Sequence, residues 1–225
     1  MDAADRALAR HHLERAAWLA GDRSDLVKAL LAHGRIVRLA PGQWAHAEGD
    51  DEAGVLVVLA GVAQLLCKAP GDREVLIGQA GPGAAIGQTT RFGGGPRLVT
   101  VICQAECVLL QVSDRALGRI ATETPRIWEA VAGLLYLQLR GLLQLAAETI
   151  ALAPRQRLAA RLDLLSGTEA GALQLSQEAL AEMLGLSRKT VNGYLGDFER
   201  QGLVRRRYGV VEVVDRAALR RIAGS

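Results

Sequence analysis

The chain has 225 residues and a mass of 23.9 kDa; half of the residues are hydrophobic and 23% are charged, which allows a sizeable core and excludes global disorder. The net charge is only +3, but it is unevenly divided: residues 154–225 carry 12 Arg/Lys and 8 Asp/Glu (net +4), residues 1–153 carry 15 and 16 (net −1). The basic excess points to a C-terminal module that faces a polyanion, and eight aromatic residues are too few for a base-stacking single-strand binder.

Residues 5–33 predict helix, with Ser24 as an N-cap before residues 25–33 and Gly34 as the stop. The start of the chain carries Asp2 and Asp5 and no apolar run of the signal-peptide kind. From Ile36 to Val112, short apolar runs (residues 55–59, 62–66, 75–77, 98–103 and 107–112) alternate with Gly/Pro turns, which predicts a small antiparallel barrel or sandwich. The three cysteines, Cys67, Cys103 and Cys107, form no disulfide scaffold. Cys103 and Cys107 flank a predicted turn at 104–106, where free thiols pack as small hydrophobes and a redox role is the minority reading.

A long helix is predicted from about Arg126 to Ala151. Trp128, Val131, Leu135, Gln138, Leu142, Leu145, Thr149 and Leu152 alternate spacings of three and four, a coiled-coil-like seam. Leu134, Leu137, Leu139 and Leu143 lie off that seam, so two faces are apolar and need two partners: the helix's own barrel, and the same helix of a second subunit. Val131, Leu135, Leu142 and Leu145 are the expected dimer interface. Arg140 and Glu148 argue against a membrane span, so the expected protein is cytoplasmic with no membrane partner. Pro154 is expected to end this helix.

Three short helical patterns follow, at 155–165, 176–184 and 187–201, with Ser176 and Ser187 as N-caps. Gly185 allows a tight turn between the last two, and Ala181, Leu186, Val191 and Leu195 are the positions expected to lock them. Residues 202–213 read as a basic two-stranded hairpin with its turn at Tyr208-Gly209. Together these make a winged helix-turn-helix aimed at double-stranded DNA. Arg188, Lys189 and Asn192 would read base edges in the major groove, with Asn192 suited to adenine. Ser176, Ser187, Thr190, Arg205, Arg206 and Arg207 would contact phosphates.

The segment 175–191 (LSQEALAEMLGLSRKTV) resembles the DNA-binding signature of the cyclic-AMP receptor protein/fumarate-nitrate reductase regulator (CRP/FNR) superfamily of bacterial transcription factors. Gly42 through Glu48-Gly49-Asp50, the run 55–61 and Gly83…Ile86-Gly87-Gln88…Arg97 resemble its cyclic-nucleotide-binding barrel. The resemblance implies an α+β chain with a jelly-roll sensor domain at 1–124, a dimerisation helix at 125–153 and a winged helix-turn-helix domain at 154–225. It also implies a homodimer on a pseudo-palindromic site with half-sites one helical turn apart, and RNA polymerase as a partner.

Departures from the family pattern bear on the effector. The resemblance implies a pocket at Gly87, Gln88, Arg97 and Leu98. Nucleotide-responsive members carry a Glu for the ribose and a small or hydroxyl residue after the Arg; here Gln88 and Leu98 stand instead, and residues 142–143 are aliphatic where polar contacts to the base are expected. Cyclic AMP is therefore not the expected effector, Arg97 is otherwise a structural ion-pair residue, and the effector stays unidentified, with a cyclic-nucleotide-responsive regulator as the alternative. No cysteine precedes Cys67, which argues against an iron–sulfur cluster. Haem would need an axial ligand such as His11, His12, His33 or His46, and His46 reads as a turn or surface residue. In the recognition helix the family's Arg-Glu-Thr-Val-x-Arg becomes Arg188-Lys189-Thr190-Val191-Asn192-Gly193, so the half-site should differ from the cyclic-AMP receptor consensus.

A third possibility is a sensing module whose basic domain contacts protein or RNA. An enzyme is not expected: no metal-ligand spacing, nucleophile elbow or phosphate loop occurs, and the acidic run 50–52 reads as a solvated turn. Catalytic and metal-ligating residues are therefore expected to be none.

Overall fold

The computed structural model describes residues 1–19, 23–51, 54–88, 94–166, 172–173, 176–207 and 210–224. The turn expected at Tyr208-Gly209, Glu52 of the acidic run and Leu175 of the signature lie outside the described residues. The chain forms two compact units, residues 1–74 with 78–141, and residues 142–225 with 75–77.

The first unit opens with α1 (Ala3–Arg15), capped by the Asp2 carboxylate, which accepts the Asp5 N–H at 2.8 Å, and α2 (Ser24–His33). Ser24 is the first helical residue; the cap position is Arg23, whose side chain makes no capping bond. The barrel follows as β1 (Arg35–Leu39), β2 (Trp44–His46), β3 (Gly54–Ala60), β4 (Ala63–Ala69), β5 (Arg73–Ala80), β6 (Ala85–Ile86), β7 (Thr100–Cys103) and β8 (Cys107–Ser113). Two four-stranded sheets result, in the orders β1-β8-β3-β6 and β2-β7-β4-β5.

Strand β3 explains its own unbroken run of aliphatic residues. Its side chains alternate, and both faces are covered. Val55, Val57 and Leu59 point into one core with Leu13, Leu30, Leu117 and Ile120 from the helices, while Leu56 and Val58 point into the barrel interior with Val101 and Leu109. Two further helices complete the unit's helical layer. They are α3 (Asp114–Glu123), capped by Ser113, and the first turns of α4 (Ile127–Ala151), whose Ile127, Ala130, Val131 and Leu134 are buried. By length and composition α4 could cross a membrane, but these four residues pack in the core of its own unit.

The second unit contains α5 (Pro154–Ser166), β9 (Ala172–Leu173), α6 (Gln177–Leu184), α7 (Arg188–Arg200), β10 (Val204–Arg207), β11 (Val210–Val213) and α8 (Arg216–Ala223). Pro154 begins α5, a position where the missing N–H costs nothing. Leu158, Leu162, Leu180, Val191, Leu195, Phe198 and Leu219 are fully buried and form the centre of this unit. The wing is a three-stranded sheet, β10-β11-β9, rather than the two-stranded hairpin expected.

Candidate nucleic-acid interface and sensor site

Residues 176–200 form the expected helix-turn-helix. The Ser176 hydroxyl accepts the Ala179 N–H at 3.0 Å and starts α6. Gly185 ends it in the left-handed region (φ +62°); the Leu186 N–H bonds the Ala181 carbonyl at 2.9 Å and the Gly185 N–H bonds that of Glu182, the double bond of a Schellman cap. Ser187 then starts α7 by accepting the Thr190 N–H at 3.0 Å, with the two hydroxyls 2.8 Å apart. Ala181, Val191 and Leu195 are buried as expected; Leu186 is only partly so, and Leu184 and Phe198 complete the packing. Arg188, Lys189 and Asn192 are exposed near the N-terminus of α7, with Arg188 and Asn192 one turn apart on one face.

The three wing arginines are not equivalent. Arg207 is exposed, and Arg205 is exposed beside Glu212 at 3.2 Å. Arg206 has its own protein partners: Nε and Nη2 lie 2.8 Å from Glu199 Oε2, its backbone N–H donates to Glu199 Oε1 at 2.8 Å, and Nη1 donates to Asn192 Oδ1 at 2.8 Å. The Arg206 backbone and side-chain hydrogen bonds hold the Glu199 carboxyl below the usual carboxylate range. Helix α8, which the sequence reading did not anticipate, is tied to α5 through Asp163, which accepts from Arg216 Nε and Arg220 Nε at 2.9 Å each. Burial raises the Asp163 carboxyl, but the two arginines more than offset it and leave it lowered.

In the barrel, Gly87, Gln88 and Arg97 converge, whereas Leu98 is 60% exposed. Arg97 is 5% exposed and donates through Nη1 to the carbonyls of Gly54 (3.2 Å) and Gly87. Gly87 must be glycine: its φ is +93°, and a Cβ there would collide with Arg97 Nη1 and sit 2.9 Å from the Gly54 carbonyl. Gln88 is 1% exposed, donates through Nε2 to Gln138 Oε1 on α4, and Gln138 in turn donates to the Ala85 carbonyl at 3.1 Å. The Gln88 Oε1 is buried without a hydrogen-bond partner among the described residues.

His46, read as a turn or surface residue, is instead buried on β2, and neither ring nitrogen has a hydrogen-bond partner among the described residues. Burial first, and then the Arg97 charge, push its pKa down to about 4 against the opposing pull of Asp50, so the ring is neutral at pH 7. Cys103 and Cys107 are free and buried; burial and then the neighbouring Cys107 push the Cys103 thiol up to about 12, so it is no thiolate nucleophile. No group of three or more His, Cys, Asp or Glu among the described residues could hold a metal ion.

The α4 seam divides along its length. Val131 is fully buried inside its own unit, with no surface left for a second chain, and Gln138 is used on Gln88 and Ala85. Leu135 and Leu145 are half-buried, and Leu142 is exposed. The exposed stripe runs instead through Tyr136, Leu139, Leu143 and Ile150, beside Leu142. The physical reason is the core between the helices and one face of β3, which takes up the first turns of the seam.

Residues 36–124 match the cyclic nucleotide-binding domain family, and residues 156–222 match the Crp-like helix-turn-helix domain family. The chain is 30% identical over 201 residues to a CRP-like cAMP-activated global transcriptional regulator of Mycobacterium tuberculosis, covering 86% of this chain and 90% of the relative. In fold it resembles FixK2 from Bradyrhizobium japonicum (TM-score 0.74, 16% identity, 84% of this chain and 96% of that one). It also resembles the c-di-GMP responsive global regulator CLP of Xanthomonas campestris (TM-score 0.69, 23% identity, 86% of this chain and 100% of that one). With a barrel, a long helix and a capped helix-turn-helix in that order, and a relative matched over nearly its whole length, the chain belongs to the CRP/FNR family of transcription regulators.

Proposed function

We propose that this regulator works as a cytoplasmic, non-enzymatic homodimer that binds a pseudo-palindromic duplex site, places α7 of each copy in the major groove, and engages RNA polymerase. The observation that carries this reading is α7 itself, whose capped N-terminus exposes Arg188, Lys189 and Asn192 together. Arg188 reads a guanine, Lys189 disfavours a cytosine amino group, and Ser176, Ser187, Thr190, Arg205 and Arg207 position the backbone. The exposed apolar stripe of α4 supports the homodimer.

The effector in this reading is not cyclic AMP. Gln88 brings no charge, Leu98 offers a phosphate nothing, and Nη1 of Arg97 is already given to backbone carbonyls. A second reading, a cyclic-nucleotide-responsive regulator, is supported by the domain match over 36–124 and by the name of the Mycobacterium relative.

Fluorescence anisotropy on a library of palindromic duplexes tests the function. The expected result is at least about a 10³-fold preference for one site over random duplex, with affinity falling steeply with salt. Arg188→Ala should cost about 1–3 kcal/mol at one guanine position and leave the dimer intact. Equal binding to all duplexes, or tighter binding to RNA, would overturn the reading. Calorimetric titration with cyclic AMP separates the two effector readings.

A further inference from the structure

We infer that Arg206 is a positioning residue that orients Asn192 for base readout, rather than a phosphate contact. The inference rests on the DNA-reading role proposed for α7. Asn192, Gly196 and Glu199 lie at i, i+4 and i+7, on one face of α7. The guanidinium of Arg206, reaching over from β10, lies along that face: a Cβ at Gly196 would be only 3.8 Å from Nη2 and 3.9 Å from Nη1. Glu199 holds one edge of the guanidinium and the Arg206 backbone N–H, which fixes the fork in place. The remaining nitrogen, Nη1, meets Asn192 Oδ1 at 2.8 Å.

Arginine has donors only, so the amide atom facing it must be the oxygen. That contact removes the usual freedom of an asparagine amide to flip. With its oxygen engaged, Asn192 offers its N–H donors to the groove. The fixed amide is therefore set with its N–H donors toward a base acceptor, N7 of a purine, O6 of guanine or O4 of thymine, while its oxygen is held toward Arg206. Arg205 and Arg207, which make no such contact with α7, keep the phosphate role.

The test compares base preference with salt dependence for wild type, Arg206→Ala, Asn192→Ala and Arg207→Ala, using the site selected by the wild-type protein and its single-base variants. Arg206→Ala should lose roughly five- to 150-fold of discrimination at the base that Asn192→Ala also affects, with the other positions unchanged. The two substitutions should be non-additive when combined, because one acts through the other. The slope of log affinity against log salt should stay at the wild-type value in Arg206→Ala and fall by about one in Arg207→Ala. Arg206→Lys keeps the charge but not the fork, and should lose the same discrimination; it serves as the test if alanine destabilises the wing. Uniform weakening across all duplexes with a slope reduced by about one, or an unchanged base preference, would overturn the inference. A wild-type protein with no sequence preference at all would instead overturn the proposed function.

Discussion

In the C-terminal unit, Arg188, Lys189, Asn192, Arg205 and Arg207 stay at the surface above a small apolar core, whereas in the barrel Gln88, Arg97 and His46 are drawn inside. The surface groups stay exposed, even where Asn192 meets Arg206 and Arg205 meets Glu212. For most of them the chemistry follows from residue type and helical position; Asn192, whose amide Arg206 engages, is the exception. The barrel's polar groups are desolvated in the folded chain: Arg97 is met by carbonyls and Gln88 Nε2 by an amide, while the His46 ring, without a hydrogen-bond partner among the described residues, responds with a lowered pKa. The behaviour of interior groups of this kind follows from packing more than from residue type.

The largest expected effect tests whether the exposed reader depends on its own core. Phe198 is fully buried on α7, and Arg155 of α5 lies over its ring at 4.9 Å from the centroid. Phe198→Ala should cost about 3–5 kcal/mol. In urea unfolding monitored by domain, the transition of residues 142–225 should move to lower urea while that of the barrel stays. Both transitions moving together would break the comparison, because the two regions would then be one cooperative body.

A smaller effect is expected on α4, where the exposed stripe contrasts with both polar regions. Leu139→Asp or Leu142→Asp should weaken the proposed dimer by about 2 kcal/mol or more, read as a raised dissociation constant in sedimentation experiments. A full-strength dimer would move the interface elsewhere. Leu135→Ala, at a half-buried position, sharpens the result by testing whether that part of the seam serves the second chain as well.

Much of the C-terminal unit was legible because its signals are local. Ser176, Gly185 and Ser187 mark two caps and a turn within twelve residues, and the structure uses all three as such. The wing's third strand was not legible, and α8 was missed. The strand has only two residues; α8 did carry a signal, Asp215 as N-cap, Gly224 as stop and an apolar face at Ala218, Leu219 and Ala223, beneath its three arginines. In the barrel the long aliphatic strands stood out, but β2 and β6, of three and two residues, are too short to carry a period. Long-range pairings were invisible for a different reason: Gln88 with Gln138, and Arg206 with Asn192 and Glu199, are set by sheet and helix placement that no spacing rule encodes. The same applies to Val131, whose place in the helical repeat matches a dimer seam until the core under the helical layer claims it.

The smallest expected effect tests whether the barrel's interior charge state follows from burial. His46 has a folded pKa of about 4 against an ordinary value of 6.5, with Arg97 and Asp50 as its charged neighbours. The unfolded chain therefore binds a proton between these values that the folded chain does not. Stability is unaffected by this group above pH 6.5, declines as pH falls from 6.5 toward 4, and levels off below 4. His46→Leu removes the group while keeping an apolar side chain of comparable size. Its melting temperature should fall less than that of wild type between pH 7 and pH 5, a window above the range where the lowered carboxyls of Asp163 and Glu199 titrate in both proteins. Parallel curves for the two proteins would mean that the ring is protonated or solvated in the folded state, and the contrast between an exposed reader and a desolvated barrel interior would fail at its clearest residue.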